Sequence, residues 1–352
     1  METSRPKRFT EMTIALFILL IAGILVSSTL GRFSISLREL LLTLRDDITQ
    51  MLSRVTGGGV RATQSAEVSN QVRAILHNVR LPRIILSCMV GCSLSAAGAA
   101  YQGVFQNPMA APDILGASSG AAMGAALAIL LGLSAQLVMG LAFVASLITI
   151  AFVMLISKMA LGNKVLRIIL AGIMMSSLCN AVTSFIKLVA DPTSILPEIT
   201  YWMMGSLAKT RPEGLLFAAI PMVVGLVPLL LIRWRINLLT LSDNEAKTMG
   251  VNVTLVRVVV IICATLVTAA SVSVSGLIGW VGLVVPHLAR RLVGNNYRHL
   301  LPVSMLIGAI FLLIVDNVAR NLLMTEIPIG ILTAVIGAPF FIWLITRRKE
   351  TI

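Results

Sequence analysis

Charge is the scarcest commodity in this chain. Asp, Glu, Lys and Arg together make up 12% of 352 residues, about half the usual share in a soluble domain. Aromatic residues reach only 5%. No G-x-x-x-x-G-K-[ST] phosphate loop occurs, and the nearest approach, Gly205 to Thr210, lacks the glycine before Lys209. ATP binding is therefore not assigned to this chain. There is no H-E-x-x-H pair, and the three histidines, His77, His287 and His299, lie in three separate segments, which argues against a zinc protease. The four cysteines, Cys88, Cys92, Cys179 and Cys263, all sit inside apolar runs. Cys88 and Cys92 share a helix face, but no cysteine or histidine joins them at a metal-ligand spacing, so they read as small buried hydrophobes.

What the chain has instead is apolar length. Hydrophobic residues fill 57% of it, and the mean hydropathy is +0.94. A helix needs roughly 20 apolar residues to cross a bilayer, and several continuous Leu-, Ile-, Ala- and Gly-rich runs meet that length. Closed β-barrels would show short alternating segments instead. The expectation is an all-α polytopic membrane protein of a single domain, 1–352, with about ten spans. These are Met12–Leu30, Pro82–Phe105, Ile114–Leu131, Leu137–Ser157 and Leu166–Val189, then Leu215–Ile232, Leu255–Val274, Leu277–Leu288, Leu301–Val318 and Ile329–Ile345. The first run follows Arg5, Lys7 and Arg8 but is longer than a signal-peptide core and lacks a small-x-small cleavage site, so a retained span starting in the cytoplasm is expected.

The basic residues fix orientation. A net charge of +13 would suit nucleic acid, yet these residues lie mostly between apolar runs, as cytoplasmic loops of membrane proteins require. Lys158, Lys164, Arg167, Arg233, Arg235, Arg290, Arg291, Arg298, Arg347 and Arg348 all fall on the side of the N-terminus, so both termini are expected in the cytoplasm. The exception is the external segment 31–80, which carries seven arginines including Arg73 and Arg80. A basic outer face meeting an acidic partner would account for it.

Other features admit plain readings. Gly116, Gly120 and Gly124 recur every four residues and mark close helix packing. The same glycines bracket Ser118 in a G-x-S-x-G pattern, which in hydrolases needs a strand-to-helix turn; here it opens an apolar helix. Asp316 and Arg320 stand one helical turn apart and can pair. Few other ionisable groups lie deep in the runs, which weighs against an ion-coupled secondary transporter. Segment 233–252 is polar, and Asp243, Glu245, Ala246, Lys247, Met249 and Gly250 read either as a solvated loop or as a helix docking on a cytoplasmic partner.

Several motifs then fall in register. Arg80-Leu81-Pro82-Arg83 opens the second run, and Gln106-Asn107-Pro108-Met109-Ala110-Ala111-Pro112-Asp113 closes it. Leu115 to Ala121, Tyr201 to Gly205, Gly279 to His287, Leu300 to Pro302, Ile327 to Gly330 and Gly337 to Pro339 follow in order. Together they resemble the FecCD-type permeases of cobalamin, haem and iron-siderophore importers. The resemblance implies the type II ABC-importer fold in the inner membrane and a homodimer or close heterodimer with the path between subunits. It further implies two cytoplasmic ATP-binding-cassette ATPase subunits, which would hold the ATP and Mg, and a periplasmic substrate-binding protein. This chain would have no cofactor, bound metal or catalysis of its own. Residue by residue, Arg80, Arg83 and Arg320 match arginines that dock the binding protein; Asn107, Pro108 and Met109 match a cytoplasmic gate. Asp243, Glu245, Ala246, Met249 and Gly250 fall in the ATPase coupling helix. The resemblance favours an iron chelate as cargo; the competing reading is a secondary transporter.

Overall fold

The computed structural model describes residues 4–31, 33, 35–56, 69–210, 212–240 and 252–346. Among these every regular element is helical, and each expected span coincides with one helix. The helices are α1 (Ser4–Thr29), α2 (Leu37–Thr56), α3 (Asn70–Ile75), α4 (Leu81–Val104), α5 (Ala117–Leu130), α6 (Ala135–Met159), α7 (Lys164–Val189) and α8 (Ile195–Met203). They continue as α9 (Pro212–Leu231), α10 (Arg233–Leu239), α11 (Val253–Ser275), α12 (Val281–Val293), α13 (Tyr297–Asn321) and α14 (Ile329–Thr346). Seven described helices are long and apolar enough to cross a membrane unaided.

Helix α4 is the hub because its side chains are small. The run Ser93-Leu94-Ser95-Ala96-Ala97-Gly98-Ala99-Ala100 is buried on every side, and α9, α11, α12 and α13 all pack against it. In lipid, where apolar surface gives helices no drive to associate, such close backbone approach supplies the contact energy. A methyl group on Gly98 would overlap the Gly282 carbonyl of α12, and one on Gly91 the Gly308 carbonyl of α13. A second layer of α5, α6 and α7 flanks α11. Gly120 and Gly124 of α5 lie against Ala145 of α6, with Thr149 and Leu141 beside them. Gly116 differs from the other two: its φ of +80° makes it the left-handed junction between the 3-10 turn Pro112–Leu115 and α5. Ser118 donates to the Asp113 carboxylate across that junction.

Helix ends are set by local chemistry. Asn163, Asn252 and Asn296 cap α7, α11 and α13 through side-chain oxygens that accept backbone N–H groups. Ser36 and Glu39 form a reciprocal capping box at the start of α2. The eighth span starts four residues later than its apolar run suggests. Gly276 at φ +68° and Trp280 at φ +69° cannot lie in a helix, so the chain between them is non-helical. This stretch lies beside another irregular segment: Ser206 N donates to Ser275 O at 2.7 Å, and Ile329 N donates to Gly205 O at 2.8 Å. The described residues of segment 31–80 pack around a small core of Ile35, Leu40, Val72 and Leu76.

Candidate functional site

Two polar clusters occupy opposite ends of the bundle. At one end the Phe9 ring of α1 meets the His299 ring of α13, with centroids 4.2 Å apart. At the other, Ser27 of α1 meets Arg320 of α13. The first is the basic-loop, or inner, end by the sequence criterion.

The outer cluster is an ion network built by α4, α13 and the loop after α13. Arg83, Arg320 and Asp316 are all buried, Asp316 completely. Arg83 donates to Asp316 Oδ1 through Nε at 3.0 Å, its Nη2 lies 2.9 Å from the same oxygen as an ion pair, and its Nη1 lies 2.9 Å from Glu326 Oε2. Arg320 Nε stands 3.3 Å from Asp316 Oδ2, an ion pair without hydrogen-bond alignment. Its Nη2 donates to Ser27 Oγ at 2.9 Å and to Asn317. Arg80 is buried too and donates to the Ser28 carbonyl at 2.6 Å, the Thr29 carbonyl at 3.2 Å and the Phe33 carbonyl. It thereby satisfies the C-terminal carbonyls of α1, which a helix end otherwise leaves bare. The three arginines singled out in the sequence thus converge at one end, each with acceptors inside the chain. In the external segment Arg73 pairs with Asp46 at 2.6 Å, so part of the basic outer face is neutralised internally.

At the inner end α4 stops at a strained residue, Gln106, with φ +51°. Its Nε2 donates to the Leu239 carbonyl of α10 at 2.8 Å. Asn107 closes the next turn by accepting from Met109 N at 2.9 Å, which leaves Met109 exposed. The coupling residues Asp243, Glu245, Ala246, Met249 and Gly250 lie outside the described residues. The structure also shows a network that sequence reasoning missed. Arg290 of α12 donates to Gln102 of α4 and, at 3.3 Å, to the Tyr297 hydroxyl. Tyr297 N in turn donates to Asn237 of α10 at 2.9 Å. The one available signal was the pair Gln102 and Gln106, one turn apart at the end of an otherwise small and apolar helix.

No group of three or more metal-ligating side chains occurs among the described residues. Along α7 the exposed polar residues Ser177, Asn180 and Ser184 stand beside the exposed apolar residues Leu170, Met174 and Leu178. The exposed surface of this helix is thus mixed.

Known proteins share this architecture. The molybdate import system permease MolB of Haemophilus influenzae is 39% identical over 98% of each chain. A probable iron chelatin transport system permease of Helicobacter pylori is 41% identical over 80% of this chain and 86% of that one. A metal-chelate type ABC transporter solved in an inward-facing conformation superposes with a TM-score of 0.83, at 37% identity over 96% of this chain and 99% of that one. The family model of the FecCD transport family matches residues 15–347, and with ten helices in the expected order and relatives aligned end to end, the chain belongs to that family.

Proposed function

We propose that this permease is the membrane-spanning subunit of an ATP-driven importer whose cargo is a metal chelate, a ferric siderophore first among them. Two copies would enclose the path, two ATPase subunits would dock at the inner end, and a binding protein would deliver cargo at the outer end. Both termini would be cytoplasmic. The observation that carries the reading is the state of Asp316. Among the described membrane-spanning helices it is the one buried carboxylate, and two arginines hold it. A proton- or sodium-coupled transporter usually uses intramembrane carboxylates or broken-helix ion sites. This carboxylate is occupied, which weighs against ion coupling and supports energy supplied by another subunit.

In this reading Arg80, Arg83 and Arg320 set the outer docking surface, exchanging internal acceptors for carboxylates of the binding protein. Asn107, Pro108 and Met109 form the inner gate, and Glu245 with Met249 engages the ATPase. The end-to-end match with a molybdate permease favours a second cargo, an oxyanion. Gentle purification of the tagged protein followed by mass spectrometry tests the assembly. A stoichiometric partner carrying a phosphate-binding loop is expected. Repeated isolation of the chain without one would return the reading to a secondary transporter.

A further inference from the structure

The inner end holds a polar cleft of about 480 Å³ that the transport reading does not use. It lies between the start of α1, the end of α12 and the start of α13, and its lining includes Phe9, Arg290, Arg291, Asn295 and His299. Among the described residues the lining carries no carboxylate and no acidic side chain pairs with either arginine. Arg290 is held rigid by Gln102 and Tyr297. The Arg291 guanidinium lies 4.6 Å from the centre of the Trp343 ring of α14. The charges of Arg298 and Arg233 also reach His299. The first amides of α13 are already capped by Asn237 and Asn296, so fixed positive charge is what the cleft offers.

Its surroundings identify the occupant. Cations mixed with Trp and Phe at the end of apolar helices are the chemistry of a membrane interface. Above the cleft, α1 turns Ile14, Phe17, Ile18 and Leu19 outward. Farther along the same helix pair runs an apolar groove lined by Leu19, Gly23, Val26, Leu313 and Ile314. From Phe9 to Leu19 the helical rise is about 15 Å, a distance an acyl chain covers from a headgroup in the cleft. We propose that the cleft binds the phosphate headgroup of an anionic phospholipid of the inner leaflet, with its acyl chains lying along α1 and α13. The proposal rests on the orientation that places the basic loops in the cytoplasm.

Native mass spectrometry of the purified protein, exchanged into mixed micelles of phosphatidylglycerol and phosphatidylcholine, reads this directly and needs no transport. The wild type is expected to retain phosphatidylglycerol preferentially, and Arg291→Gln to weaken that retention about fivefold. Replacing Arg290 as well should bring the loss to about thirtyfold. Because Arg290 also ties α4 to α13, the single Arg291 variant, whose side chain is exposed, keeps the test independent of folding. Equal retention of both lipids, or unchanged retention in Arg291→Gln, overturns the proposal. Displacement of phosphatidylglycerol by inorganic phosphate, but not by chloride at equal ionic strength, would assign the cleft to a free anion and overturn it too. Loss of a co-purifying ATPase with lipid retention intact would assign the cleft to subunit docking, with the same consequence.

Discussion

Substituting Asp316→Asn tests the outer network most sharply. The carboxylate has no exposed surface and accepts a hydrogen bond from Arg83 Nε, with Arg83 Nη2 2.9 Å from the same oxygen and Arg320 3.3 Å from the other. An amide keeps the shape but leaves two guanidinium groups sharing a neutral acceptor. Removing one member of a buried ion pair costs about 3–5 kcal/mol. Glu326 continues to hold Arg83, and its side chain is 29% exposed, so the lower end, about 3 kcal/mol, is expected. Glu326→Gln breaks a contact that water already reaches and should cost about 1 kcal/mol or less. Replacing Arg83, Asp316 and Arg320 together with Met, Leu and Met removes the desolvation cost along with the attraction. That variant should lie within about 1 kcal/mol of the wild type in stability. Unfolding by titrated SDS in lipid bicelles gives these differences. An Asp316→Asn protein as stable as the wild type, or a triple variant less stable than Asp316→Asn, would refute the argument that the network is a satisfied buried cluster.

Other perturbations address other parts of the molecule. Gly98→Ala should destabilise by about 1–3 kcal/mol because its methyl group meets the Gly282 backbone, whereas Gly140→Ala, facing open space in α6, should stabilise by about 0.5–1 kcal/mol; the same SDS titration compares them. Asp191 before α8 is held down to about 2 by the Thr193 and Ser194 hydroxyls and amides. A lowered carboxylate stabilises above its unfolded value of about 3.9, so its contribution should persist to about pH 4 and fade from there towards pH 2. Carboxyl NMR of labelled protein should find Asp191 ionised at about pH 3. Changing Glu245 and Met249 together to Ala should leave ATP hydrolysis but abolish the uptake it drives, measured side by side in vesicles; normal coupling would remove that stretch from the mechanism.

Most spans were legible because they are long apolar runs, and the bilayer makes such runs helical whatever their tertiary contacts. The start of α12 was misplaced because hydropathy ignores backbone dihedrals: Leu277 and Ile278 are apolar but lie between Gly276 and Trp280, both with positive φ. Gly116 shows the same limit, since a four-residue spacing cannot separate a packing glycine from a turn glycine. The Asp316–Arg320 pair was readable from its spacing within one helix. Its extension to Arg83 joins residues 233 positions apart, and nothing local in the sequence encodes that contact. The Arg290–Gln102–Tyr297 cluster was hidden for the same reason, its members reading singly as loop cations or stray polar residues.

The central claim is that ATP hydrolysed by a partner drives cargo through this chain. Reconstitution of the purified assembly in proteoliposomes, with binding protein and labelled ferric siderophore outside and ATP inside, tests it directly, with molybdate run in parallel. The account predicts chelate accumulation that requires ATP and survives collapse of the proton gradient. Accumulation that proceeds without ATP and disappears with a protonophore would contradict it.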